Sequence, residues 1–338
     1  MFFGVLASLM NQVSRNYDQP VSNANNQRSL RYTDGMDINE TLAETPAVAD
    51  GSPFDNAPIG VFDSGFGGLT VAREIAKELP HESIVYLGDS LRCPYGPRSL
   101  DEVDGFVQQI GAWLVERGVK IVVIACNTAT AAGLSHAQQT FPVPVVGVVE
   151  PGSRAAARAT ENQRVGVIAT KATVESDAYT KAIRHLDEGI TVFSTATPRF
   201  VEIAEQGLRM AEGPIEDFTS LVSKVYVRPA FEEIAREYLE PLRRSGIDTL
   251  VLGCTHFPLL KALIGSVVGR DVTLISSGQE TAREVADILA RRGALAAGDH
   301  EPTYEFFTTG EDVEEFRSFG GRVFRTGIDD VGRVAFPS

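Results

Sequence analysis

The sequence predicts an α/β protein of two pseudo-symmetric domains, each a mostly parallel sheet flanked by helices, with a site between them. Three observations predict it. After residue 58, eight short apolar runs rich in β-branched residues recur, separated by segments of helical texture. Continuous apolar strands alternating with helices are the pattern of parallel sheets covered on both faces. The second set of runs resembles the first: IGVFDSGFGGLTV is echoed by RVGVIATKATVES, and the run ending in Cys-Asn-Thr by the run ending in Cys-Thr-His.

Along the chain, residues 1–57 stand apart. The stretch NQVSRNYDQPVSNANNQRSL is rich in Asn, Gln and Ser, and the residues from there to Asp55 add acids without hydrophobic period, so 1–57 reads as a disordered N-terminal extension. The opening MFFGVLASLM lacks the basic flank and the cleavage site of a secretory signal. The first set of strands is IGVFD (59–63), SIVYLGD (83–89), KIVVIAC (120–126) and VPVVGVV (143–149). The second set is RVGVIAT (164–170), GITVFST (189–195), DTLVLGC (248–254) and DVTLISS (271–277). Helices are predicted over 69–79, 99–117, 174–187 and 230–245. The first domain is expected over 58–149, completed by the chain returning at 260–335; the second over 150–259. Residues 210–227, MAEGPIEDFTSLVSKVYV, read as a surface insertion.

Bulk properties exclude some functions. A formal charge of −14 over 338 residues argues against non-specific nucleic-acid binding and against anionic membrane surfaces. No apolar run approaches the roughly 18 residues that suggest a membrane span. Three cysteines without a CxxC pair suggest free thiols in a reducing cytoplasm, with neither a disulfide framework nor a zinc site.

In open α/β sheets ligands bind at strand C-terminal ends. Cys126 and Cys254 stand there, each followed by side-chain donors: Asn127 and Thr128 in one case, Thr255 and His256 in the other. Polar groups at such a junction must be hydrogen-bonded or used by a ligand. In DSGFGGLTV (63–71), Gly65, Gly67 and Gly68 let the backbone approach a ligand before a helix N-terminus that favours anions, with Asp63 as an acid-base candidate. The turn GDSLRCPYGPRS (88–99) offers the hydroxyl of Tyr95 and the backbone N–H of Gly96. Cys93 is expected to be passive, as are His81, His136, His185 and His300.

VFDSGFGGLTV, PYGPRS, ACNTAT, GVVEPG and LVLGCTHFPLL, in this order, resemble the motifs of glutamate racemase. The likeness runs from about residue 58 to the C-terminus. The broader aspartate/glutamate racemase superfamily shares the paired cysteines. The resemblance implies a cofactor-independent enzyme that interconverts L- and D-glutamate and supplies D-glutamate for peptidoglycan. Inverting a stereocentre by proton transfer needs a base on one face and an acid on the other. Carried over by motif, Cys126 takes the α-proton of D-glutamate and Cys254 that of L-glutamate. Asp63 assists the first and His256 the second, with Glu205 behind the histidine. Asp63, Ser64, Tyr95, Gly96, Asn127, Thr128, Thr170, Thr173, Thr255 and His256 match substrate-binding positions. The resemblance also implies a homodimer and, as in some enterobacterial members, activation by the cell-wall precursor UDP-N-acetylmuramoyl-L-alanine. Two alternatives stay open: a related racemase acting on aspartate or another small acid, and a catalytically silent carboxylate-binding regulator.

Overall fold

The computed structural model describes residues 55–210, 228–324 and 328–337. The expectations for residues 1–54 and for 211–227 lie outside the described residues. All eight expected strands form, and they fall into two sheets. The first holds β1 (Ile59–Asp63), β2 (Ile84–Gly88), β3 (Ile121–Ile124), β4 (Val145–Gly147), β9 (Tyr304–Thr308) and β10 (Gly332–Arg333), in the order β10-β9-β2-β1-β3-β4. The second holds β5 (Arg164–Ala169), β6 (Thr191–Ala196), β7 (Thr249–Gly253) and β8 (Thr273–Ser276), in the order β6-β5-β7-β8. Every pairing is parallel.

The inner order β2-β1-β3-β4 repeats as β6-β5-β7-β8, and the registers repeat with it. Phe62 lies opposite Ile124 as Ile168 lies opposite Leu252. Two residues further along, Ser64 is level with Cys126 and Thr170 with Cys254. The internal repeat therefore equates Ser64 with Thr170 and the two cysteines with each other. It also equates Asp63 with Ala169 and Thr128 with His256, so the acid and the imidazole are not repeated.

Two expected boundaries move. The return to the first sheet comes later than residue 260, because β8 pairs with β7 and the chain crosses back only through the next helix to reach β9. Residues 55–57 belong to the folded unit. Lys120, buried at the start of β3, forms an ion pair with the equally buried Glu82 at 2.6 Å. Its Nζ also donates to the carbonyls of Asp55 at 2.5 Å and Ala294 at 2.9 Å. Glu82 in turn accepts from the N–H of Ala296 at 2.8 Å. A buried charge needs such a full set of partners, and Asp55 supplies one of them.

Helices cover both sheets. In the first half they are α1 (Leu69–Glu78), α2 (Leu100–Glu116), α3 (Asn127–Thr140) and α4 (Val149–Ala159). α1 buries Leu69, Val71, Ala72 and Ile75 on one face, the spacing that a helix on a sheet requires. Ser99 caps α2 by accepting from the N–H of Glu102. The expected helix 174–187 is split into α5 (Lys171–Glu175) and α6 (Ala178–Leu186). Asp177 between them adopts a left-handed φ of 58°, and the Ser176 hydroxyl takes up the N–H of Ala178. The remaining helices are α7 (Pro198–Met210), α8 (Pro229–Arg244), a 3-10 turn (Phe257–Leu260), α9 (Lys261–Val268), α10 (Ser277–Arg292) and α11 (Val313–Phe324). One apolar core runs through both halves: Ile59, Val61 and Val123 share it with Leu250, Leu252 and Phe257, and α10 contributes Val285 and Leu289. Among the described residues, no helix is long and apolar enough to cross a membrane.

Candidate active site

The C-terminal ends of β1, β3, β5 and β7 converge where the two halves meet. β1 and β5 are the central strands at which each sheet's order reverses, the position where open α/β sheets bind ligands. Asp63 ends β1 and is fully buried. Its Oδ2 accepts the N–H groups of Gly65 at 3.1 Å and Gly68 at 2.9 Å, so the glycine loop wraps its own acid. Oδ1 faces the other half, with Thr255 Oγ1 at 3.5 Å. Burial raises the Asp63 carboxyl to about 6, against the lowering effect of these donors.

Two glycines here are fixed by space. A Cβ on Gly68 would stand 2.3 Å from Asp63 Cβ, and one on Gly67 would stand 2.6 Å from His256 Cε1 and 2.7 Å from Thr255 Oγ1. The first loop is thus pressed directly onto the second cysteine loop. Thr70 adds a bond across the same junction, donating to the carbonyl of Thr255 at 3.0 Å.

Cys126 and Cys254 are both buried. Cys126 is the N-cap of α3, its Sγ accepting from the N–H of Ala129 at 3.5 Å, with the Ser64 hydroxyl at 3.9 Å. Burial and then the nearby Asp63 charge push its thiol up to about 12. The Cys254 thiol is raised as well, first by burial, with Asp63 and Cys126 adding to it. Its Sγ lies 3.8 Å from His256 Nδ1. Burial lowers His256 to about 4, so the imidazole is neutral near neutral pH. His256 Nε2 faces Glu205 Oε1 on α7 at 3.6 Å, and the Phe66 ring meets the imidazole edge-on at 5.5 Å. Burial raises the Glu205 carboxyl above the usual carboxylate range.

The two halves also meet through hydroxyls. Thr128 Oγ1 lies 2.9 Å from Thr170 Oγ1 and 3.3 Å from Thr173 Oγ1, and Thr170 and Thr173 are 3.0 Å apart. Gly96 packs onto Thr170, where a Cβ would come within 3.2 Å, and its carbonyl accepts the N–H of Ala172. Asn127, buried at the first position of α3, accepts at Oδ1 from the Tyr179 hydroxyl at 2.7 Å.

One placement differs from the sequence reading. The Tyr95 hydroxyl is not presented to the crevice but donates to Asp89 Oδ2. Arg92 Nε donates to the same Asp89 oxygen at 2.6 Å, and Thr309 holds the other at 2.7 Å. Asp63 accepts from Thr255 on the Cys254 side as well as bearing electrostatically on Cys126. Cys93 stands beside the glycine loop: a Cβ on Gly65 would lie 3.7 Å from its Sγ, and burial followed by the charges of Asp63 and Glu205 raises it to about 12. The sequence reading missed Asp89, Phe66, Tyr179 and Ser277. Asp89 closes the apolar run 83–89 as Asp63 closes the run 59–63, and that parallel was a usable signal. Tyr179 in an amphipathic helix and Ser277 at a helix start gave none.

Comparison with known proteins places this constellation. The Asp/Glu/Hydantoin racemase family profile matches residues 59–285. A glutamate racemase of Exiguobacterium sibiricum is 47% identical over 256 residues, 76% of this chain and 88% of that protein. Among solved structures, a glutamate racemase isoform from Bacillus anthracis matches with a TM-score of 0.75 at 42% identity, covering 84% of this chain and 99% of that one. The glutamate racemase of Francisella tularensis, solved in complex with D-glutamate, matches with a TM-score of 0.72 at 32% identity, covering 83% and 98%.

Proposed function

This chain belongs to the Asp/Glu/Hydantoin racemase family, and we propose that it interconverts L- and D-glutamate without a cofactor, by a two-thiol acid-base mechanism. The observation that carries the reading is the pair of buried cysteines at equivalent strand ends of two repeated half-structures, each beside a titratable group. A protein that only binds a carboxylate has no use for a thiol on each side.

In the mechanism, Cys254 removes the α-proton of L-glutamate while Cys126 protonates the opposite face, and the roles exchange in reverse. Both thiols rest protonated in the buried site, so a base must take a proton before either can act. For Cys254 that base is His256: neutral, with Nδ1 toward the sulfur and Nε2 toward Glu205. For Cys126 it is Asp63, which supplies the nearest strong electrostatic influence on that thiol and titrates near 6. The substrate ammonium adds positive charge to a site otherwise crowded with acids, which favours the thiolate. The hydroxyls of Ser64, Thr128, Thr170, Thr173 and Thr255 and the amide of Asn127 bind the carboxylates and stabilise the carbanion in a water-poor crevice. Tyr95 acts indirectly, holding its turn in place through Asp89. D-glutamate for peptidoglycan is the product this reading supplies, and a homodimer is its expected assembly.

The test is incubation with L- or D-glutamate, and separately aspartate, in deuterated water with no cofactor added. Optical rotation lost together with α-deuterium gained, for glutamate and not aspartate, is the expected result. Exchange with aspartate alone would assign the related activity, and binding without exchange would make the chain a silent carboxylate binder.

A further inference from the structure

Tyr179 touches both cysteine loops, although it belongs to neither. It is buried, and its ring lies in a slot between two glycines. A Cβ on Gly253, the residue before Cys254, would come within 3.0 Å of Tyr179 Cε2, and one on Gly152 within 3.5 Å of Cε1. The hydroxyl reaches out of the slot to Asn127, the residue after Cys126, donating to Oδ1 at 2.7 Å. Its oxygen also meets Ser277 Oγ at 2.8 Å. A phenol has one proton. With that proton given to Asn127, the 2.8 Å contact makes Ser277 the donor to Tyr179, in preference to the Leu252 carbonyl 3.4 Å from the same hydroxyl, and the chain of bonds runs from Ser277 to Tyr179 to Asn127.

We infer that Tyr179 and Ser277 are positioning residues for the substrate, fixing which end of the Asn127 amide is turned to the crevice. An amide can be rotated by 180° at little steric cost, and only its hydrogen-bond partners decide its orientation. Tyr179 takes the oxygen of Asn127, which leaves the NH2 end as the donor for a carboxylate. The reversed amide would put an acceptor oxygen there and repel it. Ser277 starts α10, the helix that crosses from the second sheet back to the first. The relay therefore joins that crossing and both cysteine loops to one binding group. The assignment of Asn127 to substrate rests on the function proposed above; the direction of the relay does not.

Two measurements test this on the full chain. Turnover of glutamate is compared for Tyr179→Phe alone and combined with Asn127→Ala. Tyr179→Phe is expected to raise KM by about fivefold or more with a smaller change in kcat, and to change KM by less than about twofold once Asn127 is already Ala. An equal loss in both backgrounds would mean that Tyr179 only supports the fold and would overturn the proposal. The second measurement needs no turnover. In 15N-labelled protein the Asn127 side-chain NH2 pair, identified by its disappearance in Asn127→Ala, is expected to shift in both Tyr179→Phe and Ser277→Ala. An unmoved pair overturns the relay even in a chain that racemises nothing, whereas absence of wild-type turnover overturns the function proposed and not the relay. Where Tyr179→Phe does not fold, Ser277→Ala carries both readouts.

Discussion

Thr255 Oγ1 stands 3.5 Å from Asp63 Oδ1, joining the acid at the end of β1 to the residue between Cys254 and His256 in the other half. Asp63 is thus tied to both cysteine loops. It is held by its own loop through Gly65 and Gly68, and it influences both thiols electrostatically. An ionised carboxylate in this place costs the fold stability.

That cost has a measurable sign. Because the folded-state Asp63 titrates near 6 rather than near the ordinary value of 3.8, the folded protein favours the neutral form. The contribution is fully present below pH ~4, declines as pH rises, and is lost above pH ~6, a loss on the order of 3 kcal/mol. Asp63→Asn does not titrate, so its stability relative to wild type should rise by about that amount between pH 4 and 7.5. Urea unfolding at the two pH values measures it. Parallel stability profiles for the two proteins would show that Asp63 is not raised. Activity should fall by about 100-fold, the scale of a lost acid-base group.

Cys126→Ala and Cys254→Ala should each lower glutamate turnover by at least about 1,000-fold while leaving circular dichroism unchanged, since neither face can borrow the other's thiol. Cys93→Ala is the control, with turnover expected within about fivefold of wild type because its thiol stands beside the glycine loop and has no base of its own. A loss as deep as that of the other two would give the third thiol a part in the reaction.

Gly67→Ala adds a single methyl group at the junction of the halves. It would meet the His256 ring and the Thr255 hydroxyl, both part of the site, at distances that force them to move. Turnover should fall by at least about tenfold, because reacting groups displaced by fractions of an ångström lose much of their effect. Steady-state kinetics with a parallel melting curve separates this from unfolding. Wild-type kinetics would mean that the loop yields freely.

The boundary of the folded unit can be tested by truncation. Removing residues 1–54 should leave turnover intact. Removing 1–57 takes the Asp55 carbonyl from buried Lys120 and should cost about 1–3 kcal/mol in urea unfolding. Equal stability for the two truncations would show that the Lys120 cluster does not need Asp55.

Much of this architecture was legible in the sequence. The eight expected strands could be read because each is a short run rich in apolar and β-branched residues, even in β6 and β8, which lie at the edges of the second sheet and are only partly buried. β9 could not: Tyr304-Glu305-Phe306-Phe307-Thr308 mixes an acid and aromatics, and it lies toward the edge, covered only by the two-residue β10. The split at Asp177 was hidden because the apolar spacing continues across it. At the site, Cys126, Cys254, Asp63 and His256 stand where strand ends were expected. Which partner each hydroxyl chooses was not legible: Tyr95 turns back to Asp89 within its own turn, and Tyr179 reaches Asn127, far away in sequence.

The internal repeat is broken where it matters for chemistry, with Ala169 in the place of Asp63 and Thr128 in the place of His256. Yet two mirror-image substrates have the same free energy in water, so whatever the protein does, kcat/KM must be equal in the two directions. An uneven machine therefore cannot drive the mixture away from one to one. Its unevenness is confined to the bound states: the enantiomer held more tightly must turn over more slowly in the same proportion. A protein assembled from two unlike halves is free to saturate with one form of its substrate well before the other, and so to respond differently to shortage of one and to excess of the other.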